Sequence, residues 1–74
     1  LIYVVTRTVK EFFDLAVNFQ NSGDNASALR IYDQLESNGI KEPNLFNLKA
    51  LCYNSEESFE EAEKYARLAV EYTN

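Results

Sequence analysis

Apolar residues recur along this chain at the spacing of helices. Phe12, Leu15, Ala16 and Phe19 fall three and four residues apart, which puts them on one helical face. The pattern breaks at Asn21-Ser22-Gly23-Asp24 and resumes with Ala28, Ile31, Tyr32 and Leu35. Leu45, Phe46, Ala50 and Tyr53 mark a third helix, with a less tidy stripe, and Phe59, Ala62, Ala66 and Ala69 mark a fourth. The spacing predicts helices near 9–21, 24–38, 44–54 and 58–73, and requires no strand.

The boundaries carry their own chemistry. Thr8-Val9-Lys10-Glu11 and Ser58-Phe59-Glu60-Glu61 both have the form of a capping box, a hydroxyl followed three residues later by Glu. Asp24 can accept from the first free amides of the second helix. Gly39 supplies a left-handed residue to end that helix, and Ile40 can fold back on Leu35. Pro43 then opens the third helix, where its missing N–H is harmless.

The two halves repeat. A shift of 34 residues brings Phe12 onto Phe46, Ala16 onto Ala50, Phe19 onto Tyr53 and Ala28 onto Ala62. The chain therefore divides into a first unit at 9–42 and a second at 43–74, preceded by a stub or helix extension at 1–8.

These residues resemble the tetratricopeptide repeat, in which an aromatic, Leu-Gly, Tyr, Ala, an aromatic and Pro recur at a 34-residue period. Phe12, Leu15, Ala16, Phe19, Gly23, Ala28 and Tyr32 match in the first unit; Phe46, Ala50, Tyr53, Ala62 and Ala69 match in the second. Small residues at these places let paired helices approach closely. Lys49 stands where the family has Leu, Glu57 where it has Gly, and Ala66 where it has an aromatic; Ile40 and Asn74 replace the prolines. The resemblance implies an all-α fold of antiparallel helix–turn–helix repeats forming a short right-handed α-solenoid segment. It also implies a concave face that holds a peptide or partner helix. The matching positions are Lys10, Phe13, Val17 and Gln20 in the first unit and Asn44, Asn47, Leu51 and Asn54 in the second. Side-chain amides in this stripe could bond a peptide backbone in either direction. In the family's chaperone-binding members a clamp of Lys and Asn grips a terminal carboxylate; Phe13 and Val17 occupy those places here. A carboxylate buried there would lack a partner, so clamp-type binding is not expected.

Composition narrows the function further. The net charge is −5, with twelve acids against seven bases, which argues against nucleic acid and against the basic, slightly longer pentatricopeptide repeats. Histidine is absent and Cys52 is the one cysteine, so no metal or other cofactor is expected, and Cys52 reads as a small buried apolar residue. The acidic run Glu56, Glu57, Glu60, Glu61 and Glu63 reads as a solvated face, with Glu60–Lys64 and Glu63–Arg67 spaced for surface pairs. No nucleophile–base pair or phosphate loop is visible, and the chain is not expected to be an enzyme.

Leu1-Ile2-Tyr3-Val4-Val5-Thr6 admits three readings: an extended tail, an earlier start to the first helix, or the end of a membrane helix followed by Arg7 and Lys10. The residues themselves are too short an apolar run to span a membrane. The chain opens on Leu1 rather than Met and is expected to be a piece of a longer array. The compartment stays open, with the cytoplasm favoured. The functional expectation is a non-catalytic module that binds a protein or peptide partner. A structural segment of a larger assembly and an accessory domain of a membrane-anchored or catalytic protein are the alternatives. Tyr65, Leu68 and Tyr72 are expected to form a flank for a following helix or another subunit, with self-association of the isolated piece.

Overall fold

The computed structural model describes residues 8–73, so the three readings of residues 1–6 lie outside the described residues. Four helices account for most of them: α1 Val9–Asn21, α2 Asn25–Ser37, α3 Pro43–Ser55 and α4 Phe59–Glu71. No strand occurs among the described residues. Each helix packs on its neighbour in the chain. The bounds repeat: 9 and 21 plus 34 are 43 and 55, and 25 and 37 plus 34 are 59 and 71. All four helices are 13 residues long.

One turn is used three times. After α1, the Asp24 amide donates to the Phe19 carbonyl at 2.8 Å and the Gly23 amide to Gln20 at 3.0 Å. After α2, Ile40 donates to Leu35 at 3.1 Å and Gly39 to Glu36 at 3.0 Å; after α3, Ser58 donates to Tyr53 at 2.9 Å and Glu57 to Asn54 at 3.0 Å. Each is a Schellman closure, which satisfies two terminal carbonyls and requires a left-handed residue between them. Gly23 and Gly39 take that conformation, with φ of 91° and 92°. Glu57, 34 residues after Gly23, takes it with φ of 61° although it carries a Cβ.

The helix starts differ from one another. Thr8 forms the expected capping box: its hydroxyl accepts from the Glu11 amide at 3.2 Å, and its own amide donates to Glu11 Oε1 at 2.8 Å. Asp24 caps α2, accepting from the Ser27 amide at 3.1 Å and the Ser27 hydroxyl at 2.7 Å. Those bonds, the hydroxyl's first, hold the Asp24 carboxyl below its ordinary pKa. The expected box at Ser58 does not form, and its side chain makes no cap hydrogen bond. Thr8 is extended with ψ of 165°, whereas Ser58 and Asp24 have ψ of 73° and 72°. At that backbone angle the longer aspartate side chain reaches the amide and the serine does not.

The core joins the two units. Ala16, Ala28, Tyr32 and Leu35 of α1 and α2 form one buried cluster with Leu45 and Cys52 of α3, and Leu48 packs against it. The Tyr32 phenol, wholly buried, donates to Gln20 Oε1 at 2.8 Å, so its polar end is satisfied. On its other side α3 meets α4, where the Phe46 ring lies 6.1 Å from Tyr65 and 5.2 Å from Tyr72. Two-sided burial explains why the apolar residues of α3 do not form a single stripe.

Glu57→Gly should relieve the strained turn before α4. The expected gain is about 1 kcal/mol, the left-handed penalty less the added freedom of the unfolded chain. Urea titration of the two proteins measures it; an unchanged or lower midpoint would mean that Glu57 is not strained.

Candidate functional site

Between α3 and α4 runs an open trough of about 570 Å³. Asn47, Ala50, Leu51 and Asn54 line it from α3; Phe59, Ala62, Glu63 and Ala66 line it from α4. Its floor is made of alanines, which leave room for another backbone. Its walls carry Leu51, 56 % exposed, and Phe59, 61 % exposed. Two large apolar side chains exposed beside one hollow are unlike apolar residues scattered singly over a surface. Asn47 and Asn54 add carboxamides that can donate and accept.

The expected binding stripe splits between the two units. Asn47, Leu51 and Asn54 come together in the trough, and Asn44 is exposed at the start of the same helix. In the first unit the corresponding residues are already engaged. Phe13 and Gln20 are half-buried, Phe13 with its ring 6.2 Å from Tyr32 and Gln20 bonded to the Tyr32 hydroxyl. Val17 is half-buried, and Lys10 pairs with Asp14 at 2.9 Å on the surface. Tyr65 and Tyr72 are engaged within the second unit: Tyr65 stacks on Tyr53 at 5.7 Å and Tyr72 lies against Phe46. Leu68 is half-buried among the charged residues of α4.

Phe59, Ala62 and Ala66 belong to the apolar stripe that marks the fourth helix, and they line the α4 side of the trough. The 34-residue shift carries the missing signal. It places Phe59 on Asn25, Ala62 on Ala28 and Ala66 on Tyr32, the side of the first unit that α3 covers.

Lys49 forms a second polar centre, away from the trough. Its side chain is 2 % exposed, and its ammonium donates to Asp33 Oδ1 at 2.6 Å and Glu36 Oε1 at 2.7 Å. It also lies 4.1 Å from the centre of the Tyr65 ring. Asp33 and Glu36 belong to α2 and Tyr65 to α4, so one cation ties α3 to both neighbours. Its counterpart in the first unit is Leu15. Burial works to lower the Lys49 pKa, but the hydrogen bonds with Asp33 and Glu36 outweigh it and leave the ammonium above 10.5. A smaller polar link joins the other ends of α2 and α3, where Asn25 Nδ2 donates to Glu56 Oε2 at 2.8 Å. Cys52 is buried, and burial, assisted by the charge of Glu56, pushes its thiol up to about 11. It is protonated at neutral pH and a poor nucleophile.

No known family model, characterised protein or solved structure matches the chain. Among the described residues no helix is long and apolar enough to cross a membrane. No group of three or more metal-binding side chains comes together among them.

Two sets of variants test this geometry. Asp33→Asn combined with Glu36→Gln leaves the buried ammonium without a counter-charge and should cost about 3 kcal/mol. Lys49→Leu removes the charge and its desolvation together, and should change stability by less than about 1 kcal/mol. A base whose pKa is raised on folding contributes stability fully below its unfolded value and loses it as pH rises through the folded one. In urea titrations, wild type should therefore lose stability relative to Lys49→Leu as pH rises past 10.5. Equal pH dependence would remove the ion cluster from the fold. Separately, Ala28→Leu should overpack a filled crossing, at about 2 kcal/mol, whereas Ala62→Leu beside the open trough should cost about 0.5 kcal/mol or less. Thermal unfolding ranks the pair, and equal losses would mean that the second crossing is as closed as the first.

Proposed function

We propose that this chain is a pair of tetratricopeptide-like repeats working as a non-catalytic protein–protein interaction module, which holds a peptide or partner helix against α3 and α4. The observation that carries this reading is the trough itself. Leu51 and Phe59 stand exposed on opposite walls, with alanines between them and carboxamides along one side. Burying two such side chains supplies affinity, and the carboxamides supply directional bonds that select a register. The 34-residue period of the helices and the buried alanines at Ala16 and Ala28 support the repeat reading.

A second reading keeps the same surface and changes its lifetime. As a structural segment of a larger assembly, the chain would have the trough covered permanently. Leu51 and Phe59 favour this equally, since their exposure invites cover of either kind.

Capture experiments distinguish a trough-based function from an acidic-surface one. Asn47→Ala combined with Leu51→Lys should abolish recovery of the proteins that the wild-type chain retains from a source-cell extract. Charge reversal at Glu57 and Glu61, which lie outside the trough, should leave recovery unchanged. The opposite ranking would end the trough reading. Slow dilution-resistant complexes would favour the assembly role, and rapidly exchanging ones the binding module.

A further inference from the structure

We infer that the trough seats an amphipathic α-helix of a partner protein, with a bulky apolar side chain over Ala66 and a cationic flank beside Glu63. This rests on the binding role proposed above and specifies the occupant. Subtracting 34 from the lining residues Ala50, Ala62 and Ala66 gives Ala16, Ala28 and Tyr32. Those three are wholly buried in the cluster that receives Leu45 and Cys52 of α3. Asn47 and Glu63 likewise map onto Phe13 and Leu29, which pack against that cluster. The trough is therefore the second unit's copy of a surface that, in the first unit, already holds a helix.

The differences between the two copies define the occupant. Lys49 bonds Asp33 and Glu36 towards one end of the α2–α3 contact, and Asn25 bonds Glu56 at the other. That register sets Cys52, the smallest residue of the α3 stripe, beside Tyr32, the largest residue of its seat, within one buried cluster. In the trough Ala66 replaces Tyr32, and the volume of a phenol is left for the incoming helix to fill. The occupant's stripe follows Leu45, Leu48 and Cys52 at i, i+3 and i+7, with a large side chain in place of the thiol. Glu63 replaces Leu29 on the wall, with Glu60 one turn before it. The Glu63–Arg67 pair, at 3.0 Å, is exposed on both sides and is exchanged at little cost for a lysine or arginine of the partner. A second copy of this chain, stacked in the same way, is the wrong occupant. The α1 counterparts of Leu45, Leu48 and Cys52 are Glu11, Asp14 and Asn18, all polar and exposed, and two would carry negative charge towards Glu63.

The test uses synthetic peptides of about 15 residues, roughly four helical turns. The parent carries Leu, Leu and Phe at i, i+3 and i+7, with lysines along one flank. Three variants replace Phe by Ala, replace the lysines by Glu, or keep the composition around a central proline. Each is titrated into the isotope-labelled protein and followed by amide NMR shifts. The parent should shift Asn47, Leu51, Phe59 and Ala66. The Ala and Glu peptides should bind about tenfold more weakly or worse. Ala66→Tyr, at an exposed position, should erase the preference for Phe over Ala. Equal binding by the proline peptide would mean that the trough takes an extended chain, which overturns the helix while leaving the binding role in place. Shifts confined to other surfaces would overturn both. Concentration-dependent shifts of the protein alone, with a dimer in sedimentation, would make a second copy the occupant and overturn the partner helix. No binding by any peptide would overturn it as well.

Discussion

The fold depends on the burial of α3 from two sides. A single 13-residue helix is too short to hold its shape in water by backbone bonding alone, and its stability comes from covered apolar surface. Leu45 and Cys52 press into the hollow made by Ala16, Ala28 and Tyr32, while Phe46 faces Tyr65 of α4 and Tyr72 just beyond its end. The small residues of the first unit make this possible, since their missing side chains are the space that α3 occupies. The buried cluster runs from the first helical pair into α3, and the order of helices in space follows their order in the chain.

Lys49 acts within that packing in a different way. Removing an ammonium from water is costly, and close carboxylates roughly offset the loss rather than turn it into a large gain. Its consequence is geometric. Displacing α3 along α2 would separate the charge from Asp33 and Glu36 together, and displacing α4 would withdraw the Tyr65 ring. Among the described residues the first unit, with Leu15 in this place, has no such link, and its outward residues Glu11, Asp14 and Asn18 are polar and exposed. The outer side of α1 thus presents polar residues, and the second unit presents an open apolar trough.

Much of this could be read from residue pattern alone. The helices, the Thr8 box and the turn at Gly39 follow from local chemistry, because the groups involved lie within a few residues of one another, and the 34-residue period shows when the chain is laid against itself. Three features needed the three-dimensional arrangement. Lys49 looked like a flaw in an apolar stripe because its partners lie 16 and 13 residues earlier, on another helix. Ser58 has the right residue type for a cap, but its backbone turns to ψ of 73°, away from the extended angle of Thr8, and its side chain makes no cap bond. Phe59 belongs to an apolar stripe that would be interior if a further helix covered it, so periodicity alone could not distinguish core from docking surface. Glu57 was legible as a departure from glycine, and the strain it carries follows from the left-handed turn it must make.

Thiol labelling at equivalent positions tests the central asymmetry most directly. In a Cys52→Ala background, single cysteines replace Ala16, Ala28, Ala50 and Ala62, and the rate of modification by a small alkylating reagent is measured under native conditions. Ala16→Cys and Ala28→Cys should react only as fast as the fold opens, since both sites are wholly buried. Ala50→Cys and Ala62→Cys, on the floor of the trough, should react many times faster. Equal rates across each 34-residue pair would contradict the picture of one covered surface and one open one.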